Sequence, residues 1–209
     1  IFFRLMHLFA LSRPPKGHTA LPCLMKDVPH VLHAHGVKVV PLEPLGVEVI
    51  GVDTTAPLPP ALVGALEMQM AHAGLLLFRG QGTPQNESGT QGTYLTGEQQ
   101  LVFSEAFGQG ELHSTHGVHP KSPNRHVFRL SNDPSEGFNQ VGPEWHNDGS
   151  FCRNVFGHVV YHIIKAPEGP GNTQFAHLGK AFDLLPPDKQ QHCRQCASVN
   201  SNGGVVHPL

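Results

Sequence analysis

The residues best suited to chemistry in this sequence are its histidines. There are 16 among 209 residues, and imidazole is both the commonest protein metal ligand and the side chain that titrates nearest neutral pH. The strongest local arrangement is Trp145-His146-Asn147-Asp148-Gly149-Ser150-Phe151. At a strand end, residues two apart point to the same side, so His146 and Asp148 can reach one metal ion. One imidazole and one carboxylate are two thirds of the facial set that holds ferrous iron with three positions open. Spacing alone decides nothing, because 16 His and 6 Asp supply about half of one His-x-Asp by chance.

Other candidates are weaker. His113, His116 and His119 would form a metal-binding face on a helix, but Gly110, Gly117 and Pro120 place them in a loop. Exposure is the usual fate of such loop histidines. Cys193-x-x-Cys196 beside His192 offers at most three ligands where a structural zinc site takes four. Reduced thiols in a helical segment are the simpler reading, and four cysteines in the chain are too few for a disulfide scaffold. His158 and His162 share one face of a strand and are expected to pair or to meet solvent. Trp145 is expected to pack in the core beside His146, whereas His30, His33 and His35 fall in an N-terminal tail.

These residues need elements to position them. Val37–Val40 and Val47–Ile50, punctuated by Gly46 and Gly51, read as strands. Pro59-Pro60 opens a helix whose buried stripe is Leu62, Leu66, Met70 and Ala73, with Gly74 as its stop. Leu75–Phe78 follows as a short strand, and 82–94 as an exposed loop that contains the sequon Asn86-Glu87-Ser88. Thr96-Gly97-Glu98-Gln99 is a capping box, so a second helix is expected to about Phe107, closed by Gly108. Val127–Leu130, Val155–Ile164 and Thr173–Ala176 read as strands, and helical patterns begin near Lys180 and after Pro186-Pro187. Strands dominate after residue 110, which points to a barrel or jelly roll with helices outside.

Composition narrows the function. The 23 glycines and 19 prolines make about one residue in five, loop-rich but short of the ~25–30% of a disordered chain. Lys and Arg number 14 against 16 Asp and Glu, for a net charge of −2. No basic excess exists to neutralise a phosphate backbone, so a nucleic-acid partner is disfavoured. No apolar run approaches the eighteen residues of a membrane span, so no membrane partner is expected either. From Ile1 to Lys26 the chain has four basic residues and no acidic one, the flavour of an organelle transit peptide, although Pro14, Pro15 and Pro22 equally suit a flexible tail. Residues 1–36 are therefore read as a tail and 37–209 as the domain, with a cytoplasmic location expected, or an organellar one if the tail targets. Nothing in the sequence sets an oligomeric state.

The surroundings of His146 and Asp148 say more than their spacing. Trp-His-x-Asp-x-Ser-Phe resembles the core of the taurine dioxygenase-like iron(II)/2-oxoglutarate family. Further pieces resemble that family in order: Gly46–Asp53, Leu77–Gln81, Leu95–Gln100 with Phe107-Gly108, and Pro167–Gly169 with Asn172–Ala176. The resemblance runs from about Val37 to Leu209, with an extra loop at 82–94. It implies a mainly β fold with flanking helices, a double-stranded β-helix (jelly roll) incomplete at its C-terminal end.

The resemblance also implies roles. His146 and Asp148 match the first two Fe(II) ligands, and Thr173 matches the threonine whose hydroxyl contacts the far carboxylate of 2-oxoglutarate. Asn172 and Pro170 depart from the family's usual Asp and Gly there. Such enzymes use O2 to oxidise a substrate C–H bond while converting 2-oxoglutarate to succinate, the protein holding the open positions and excluding water. The loop carrying His116 and His119 matches one bordering the substrate pocket, so both are candidate contacts to a small organic substrate, an anionic one included. The distal His and the Arg that pairs with 2-oxoglutarate have no match. His207-Pro208 resembles a segment before that His, so His207 is not assigned, and Arg194 sits in a helical pattern. The sequence thus reads as truncated at both ends, a dioxygenase fragment expected to be inactive alone. The alternative is a jelly-roll remnant or pseudoenzyme lacking the third ligand.

Overall fold

A computed structural model of the chain describes residues 5–12, 24–81, 95–111, 117–139, 144–152, 156–165 and 173–197. In chain order the elements are β1 Leu5–Ser12, α1 Val28–Ala34, β2 Lys38–Pro41, β3 Val47–Ile50, α2 Pro60–Ala73, β4 Leu76–Leu77, α3 Gly97–Glu105, β5 Gln109–Glu111, β6 Phe128–Leu130, β7 His158–Lys165, α4 Leu178–Asp183 and α5 Pro187–Gln195. The loop expected at 82–94, its sequon, His113, His116 and His207 lie outside the described residues.

The first layer forms as its sequence dictates. β2 and β3 pair antiparallel, with Val39 opposite Val49, and α2 then crosses over to bring β4 parallel to β3, with Val47 opposite Leu76. Parallel neighbours require such a crossover. Polar side chains tie the two strand ends: Thr54 Oγ1 donates to Gln81 Oε1 at 2.6 Å, and Gln81 Nε2 donates to the Val52 carbonyl. Gly74 closes α2 as expected. The burial of α2 differs from the expected single stripe, since Leu62, Val63, Ala65 and Leu66 are all buried. The cause is a second neighbour, α1, which buries Val28 and Leu32 in the same core.

Helix α3 joins this layer to the second sheet. Its capping box is formed, Gln99 N donating to Thr96 Oγ1 and Thr96 N to Gln99 Oε1. Phe103 meets Phe78 edge-on at 5.7 Å and Phe107 at 5.4 Å. In the second sheet β1 is central: β7 lies antiparallel along one edge from Leu5 to Leu11, while β6 and β5 pair end to end along the other. β7 alternates as a strand must. His158 and Val160 face Phe107 and the main core, whereas Val159 and Tyr161 face a smaller cluster of Phe128, Leu130 and Phe138.

Three readings need correction. Residues 1–36, expected as a tail, include β1 and α1; the apolar run from Leu5 to Leu11 suits a strand, and Val28 with Leu32 makes a helical stripe. Thr173–Ala176, expected as a strand, is an irregular lead into α4, its mostly exposed residues lying on no ladder among the described strands. The mainly β reading holds only coarsely, as two small sheets with helices beside them, and helices occupy more of the described chain than strands do. No described helix is long and apolar enough to cross a membrane.

Candidate metal centre

The chain from Glu144 to Cys152 is irregular, with a turn at Asp148–Phe151. His146 Nδ1 lies 2.6 Å from the Glu144 carbonyl oxygen, an atom that can only accept, so Nδ1 carries the proton and donates. The other ring nitrogen, Nε2, faces Asp148 Oδ1 at 3.3 Å, an ion-pair contact when the ring is protonated. When the ring is neutral, the Nδ1–H bond leaves Nε2 as the ligand atom, and it and the carboxylate oxygen can serve one cation. Adjacent ligands, each about 2.1 Å from an ion and at right angles, lie about 3 Å apart. The donor set and its spacing therefore fit a divalent metal. Asp148 is shielded, its side chain 12% exposed, while His146 at 49% reaches solvent.

The second carboxylate oxygen is taken. Tyr161 Oη, on β7, donates to Asp148 Oδ2 at 2.9 Å. Burial first, then the Asp148 charge and this hydrogen bond, push the Tyr161 hydroxyl far above its ordinary pKa, so it remains a donor. Phe175 meets the Tyr161 ring edge-on at 6.0 Å. Phe175 stands two residues after Thr173, so the half-buried Thr173 belongs to a segment that touches the residue holding Asp148.

The other expected residues are described by contacts or exposure of their own. His119 Nδ1 accepts from the Lys121 amide at 3.2 Å, and its ring meets Phe138 edge-on at 5.3 Å; these contacts include neither His146 nor Asp148. Cys193 and Cys196 are exposed thiols, with Cys196 Sγ 3.5 Å from His192 Nε2. Arg194 stacks on Phe182 at 4.9 Å. Trp145, expected in the core, is 70% exposed, because its stretch of chain runs over the surface. His158 and His162, expected to pair or meet solvent, are instead largely desolvated, and burial pulls both pKa values below the ordinary histidine value. Among the described residues no three His, Cys, Asp or Glu gather as a complete metal set.

Residues 38–207 match the family model described as taurine catabolism dioxygenase TauD, TfdA family. The chain belongs to the TauD/TfdA family. Two curated relatives of this TauD/TfdA chain are named for their chemistry. An alpha-ketoglutarate-dependent sulfonate dioxygenase of Saccharomyces cerevisiae is 28% identical over 164 residues, covering 76% of the chain and 37% of that relative. An alpha-ketoglutarate-dependent sulfate ester dioxygenase of Pseudomonas putida is 26% identical over 158 residues, covering 76% of the chain and 47% of that relative. The chain thus spans between about a third and a half of their length. No solved structure matches it. Within this TauD/TfdA chain, sequence reasoning misses Tyr161. The available clue is a tyrosine inside the apolar run Val159–Ile164, since a buried phenol hydroxyl has to find a polar partner.

Proposed function

We propose that this chain carries the metal-binding part of an Fe(II)- and 2-oxoglutarate-dependent dioxygenase with a jelly-roll core, acting on a small organic anion of the sulfonate or sulfate-ester type. The convergence of His146 Nε2 and Asp148 Oδ1, with Nδ1 already committed to a carbonyl, carries the reading. Family membership and the names of the two relatives support the reaction and substrate class. Bound iron supplies the oxidising chemistry, R–H + O2 + 2-oxoglutarate giving R–OH + succinate + CO2.

The chain's own residues hold and orient. His146 and Asp148 present one imidazole nitrogen and one carboxylate oxygen to the ion, a third ligand coming from outside the described residues. Thr173 donates its hydroxyl to the far carboxylate of 2-oxoglutarate. His116 and His119 are the contacts proposed for the substrate anion, to which an imidazole N–H can donate.

Substitution tests this reading. In the intact protein, His146→Ala or Asp148→Ala abolishes iron-dependent formation of succinate from 2-oxoglutarate while the circular dichroism spectrum stays that of the parent. Thr173→Ala raises the 2-oxoglutarate concentration needed for half-maximal rate about tenfold, as for a lost hydrogen bond to a charged group worth ~1.5–3 kcal/mol. Succinate formation unchanged in Asp148→Ala removes the metal pair. A folded parent with no turnover favours the remnant reading instead.

A further inference from the structure

An aspartate can bind a metal through one oxygen or both. The choice matters, because a carboxylate that takes two positions on the ion leaves one fewer for a chelating co-substrate. In this chain the two oxygens of Asp148 are already distinguished: Oδ1 faces His146 Nε2 at 3.3 Å and Oδ2 accepts the Tyr161 hydroxyl at 2.9 Å. The donor is better anchored than the acceptor. Asp148 sits on irregular chain, whereas Tyr161 belongs to β7, which pairs with β1 over seven consecutive β1 residues. The Tyr161 ring packs against Phe128 and Leu130, and Phe175 meets its edge. A regular, packed element therefore fixes a carboxylate carried by a loop, which is how a precise site is supported.

We propose that Tyr161 is a positioning residue that reserves Oδ2 of Asp148, so that the carboxylate meets a divalent cation through Oδ1 alone. This rests on the reading of His146 and Asp148 as the metal pair. The contact from Phe175 extends the device: the segment that carries Thr173 bears on the same ring, so the 2-oxoglutarate side of the site and the metal side share one support.

Co(II) alone is the probe, titrated into the intact protein without co-substrate. Its visible absorption reports coordination number, and line broadening in nuclear magnetic resonance spectra reports weak binding. His146→Ala is the control that places the ion. Tyr161→Phe keeps the ring and removes the hydroxyl; it weakens Co(II) binding about tenfold or more, the usual cost of losing a partner of a metal ligand. It also shifts the visible bands as the carboxylate becomes free to chelate. In an Asp148→Asn background the same substitution changes Co(II) binding no further, which a merely structural role would not produce. Phe175→Leu, at an exposed position that threatens the fold less, weakens binding in the same direction by a smaller factor. Parent binding that survives His146→Ala removes the metal pair and this assignment with it. Binding lost in His146→Ala but unchanged, in affinity and spectrum, by both Tyr161→Phe and Phe175→Leu overturns the role of Tyr161 alone.

Discussion

Asp148 can turn its carboxylate toward His146 because the next residue allows it. Gly149 is buried and left-handed, with φ +66°, and a Cβ built there would stand 2.4 Å from two ring carbons of Phe156. The motif carries glycine at this point for two separable reasons, conformation and space. A left-handed non-glycine residue costs roughly 1–2 kcal/mol, and overpacking adds about 1–3 kcal/mol. Gly149→Ala is therefore expected to destabilise the protein by at least about 2 kcal/mol, read from urea denaturation. It should also loosen Co(II) binding, because the turn that aims Asp148 is displaced. A variant with the parent's stability would show that the turn is relaxed at this residue. The glycine is legible in the sequence as part of the motif, but its reason is not, since Phe156 reaches it only through the fold.

Elements with a local cause are the ones the sequence makes legible. Helix α3 spans nine residues, short enough to depend on its ends as well as its packing. Thr96 accepts from the Gln99 amide at 3.2 Å while Gln99 returns a bond to the Thr96 amide at 2.9 Å. Thr96→Ala removes the side-chain acceptor and is expected to cost about 1 kcal/mol. Faster amide exchange at Gln99 and Gln100 would locate that loss at the helix start, and unchanged exchange would place the helix's stability elsewhere. The cap, the Gly74 stop and the Val47–Ile50 strand all write their cause within a few residues. What makes β1 a central strand is pairing with β7, some hundred and fifty residues later, and no local periodicity encodes that. Tyr161 stands 13 residues beyond Asp148, and only the fold brings its hydroxyl to the His-x-Asp motif. Thr173–Ala176 shows the converse, a strand-like stretch that found no partner strand among the described residues. Trp145 shows that a large aromatic beside a site need not be buried.

At the scale of the molecule, β7 meets both cores, and its two half-buried histidines contribute to how the whole responds to acid. His158 packs 6.2 Å from the Phe107 ring, and burial lowers its pKa while Glu67 opposes that shift only in part. His162, on the same face by alternation and opposite His7 in the β1 register, is lowered by burial as well. Both rings are held neutral in the folded protein more firmly than in the unfolded chain, where histidine titrates near 6.5. Below that value the unfolded state binds more protons, so stability rises with pH through the window between the folded and unfolded pKa values. Their contribution is complete above about pH 6.5 and is lost as the pH falls through the lowered folded values. The urea midpoint is expected to fall as pH is taken from 7.5 toward 5, in the direction opposite to that of a histidine held in an ion pair. His158→Phe keeps an aromatic ring beside Phe107, removes one titrating group and should flatten the profile. A midpoint level across this range in the parent would mean that both rings take up protons as readily folded as unfolded, and that β7 does not carry the desolvated face described here.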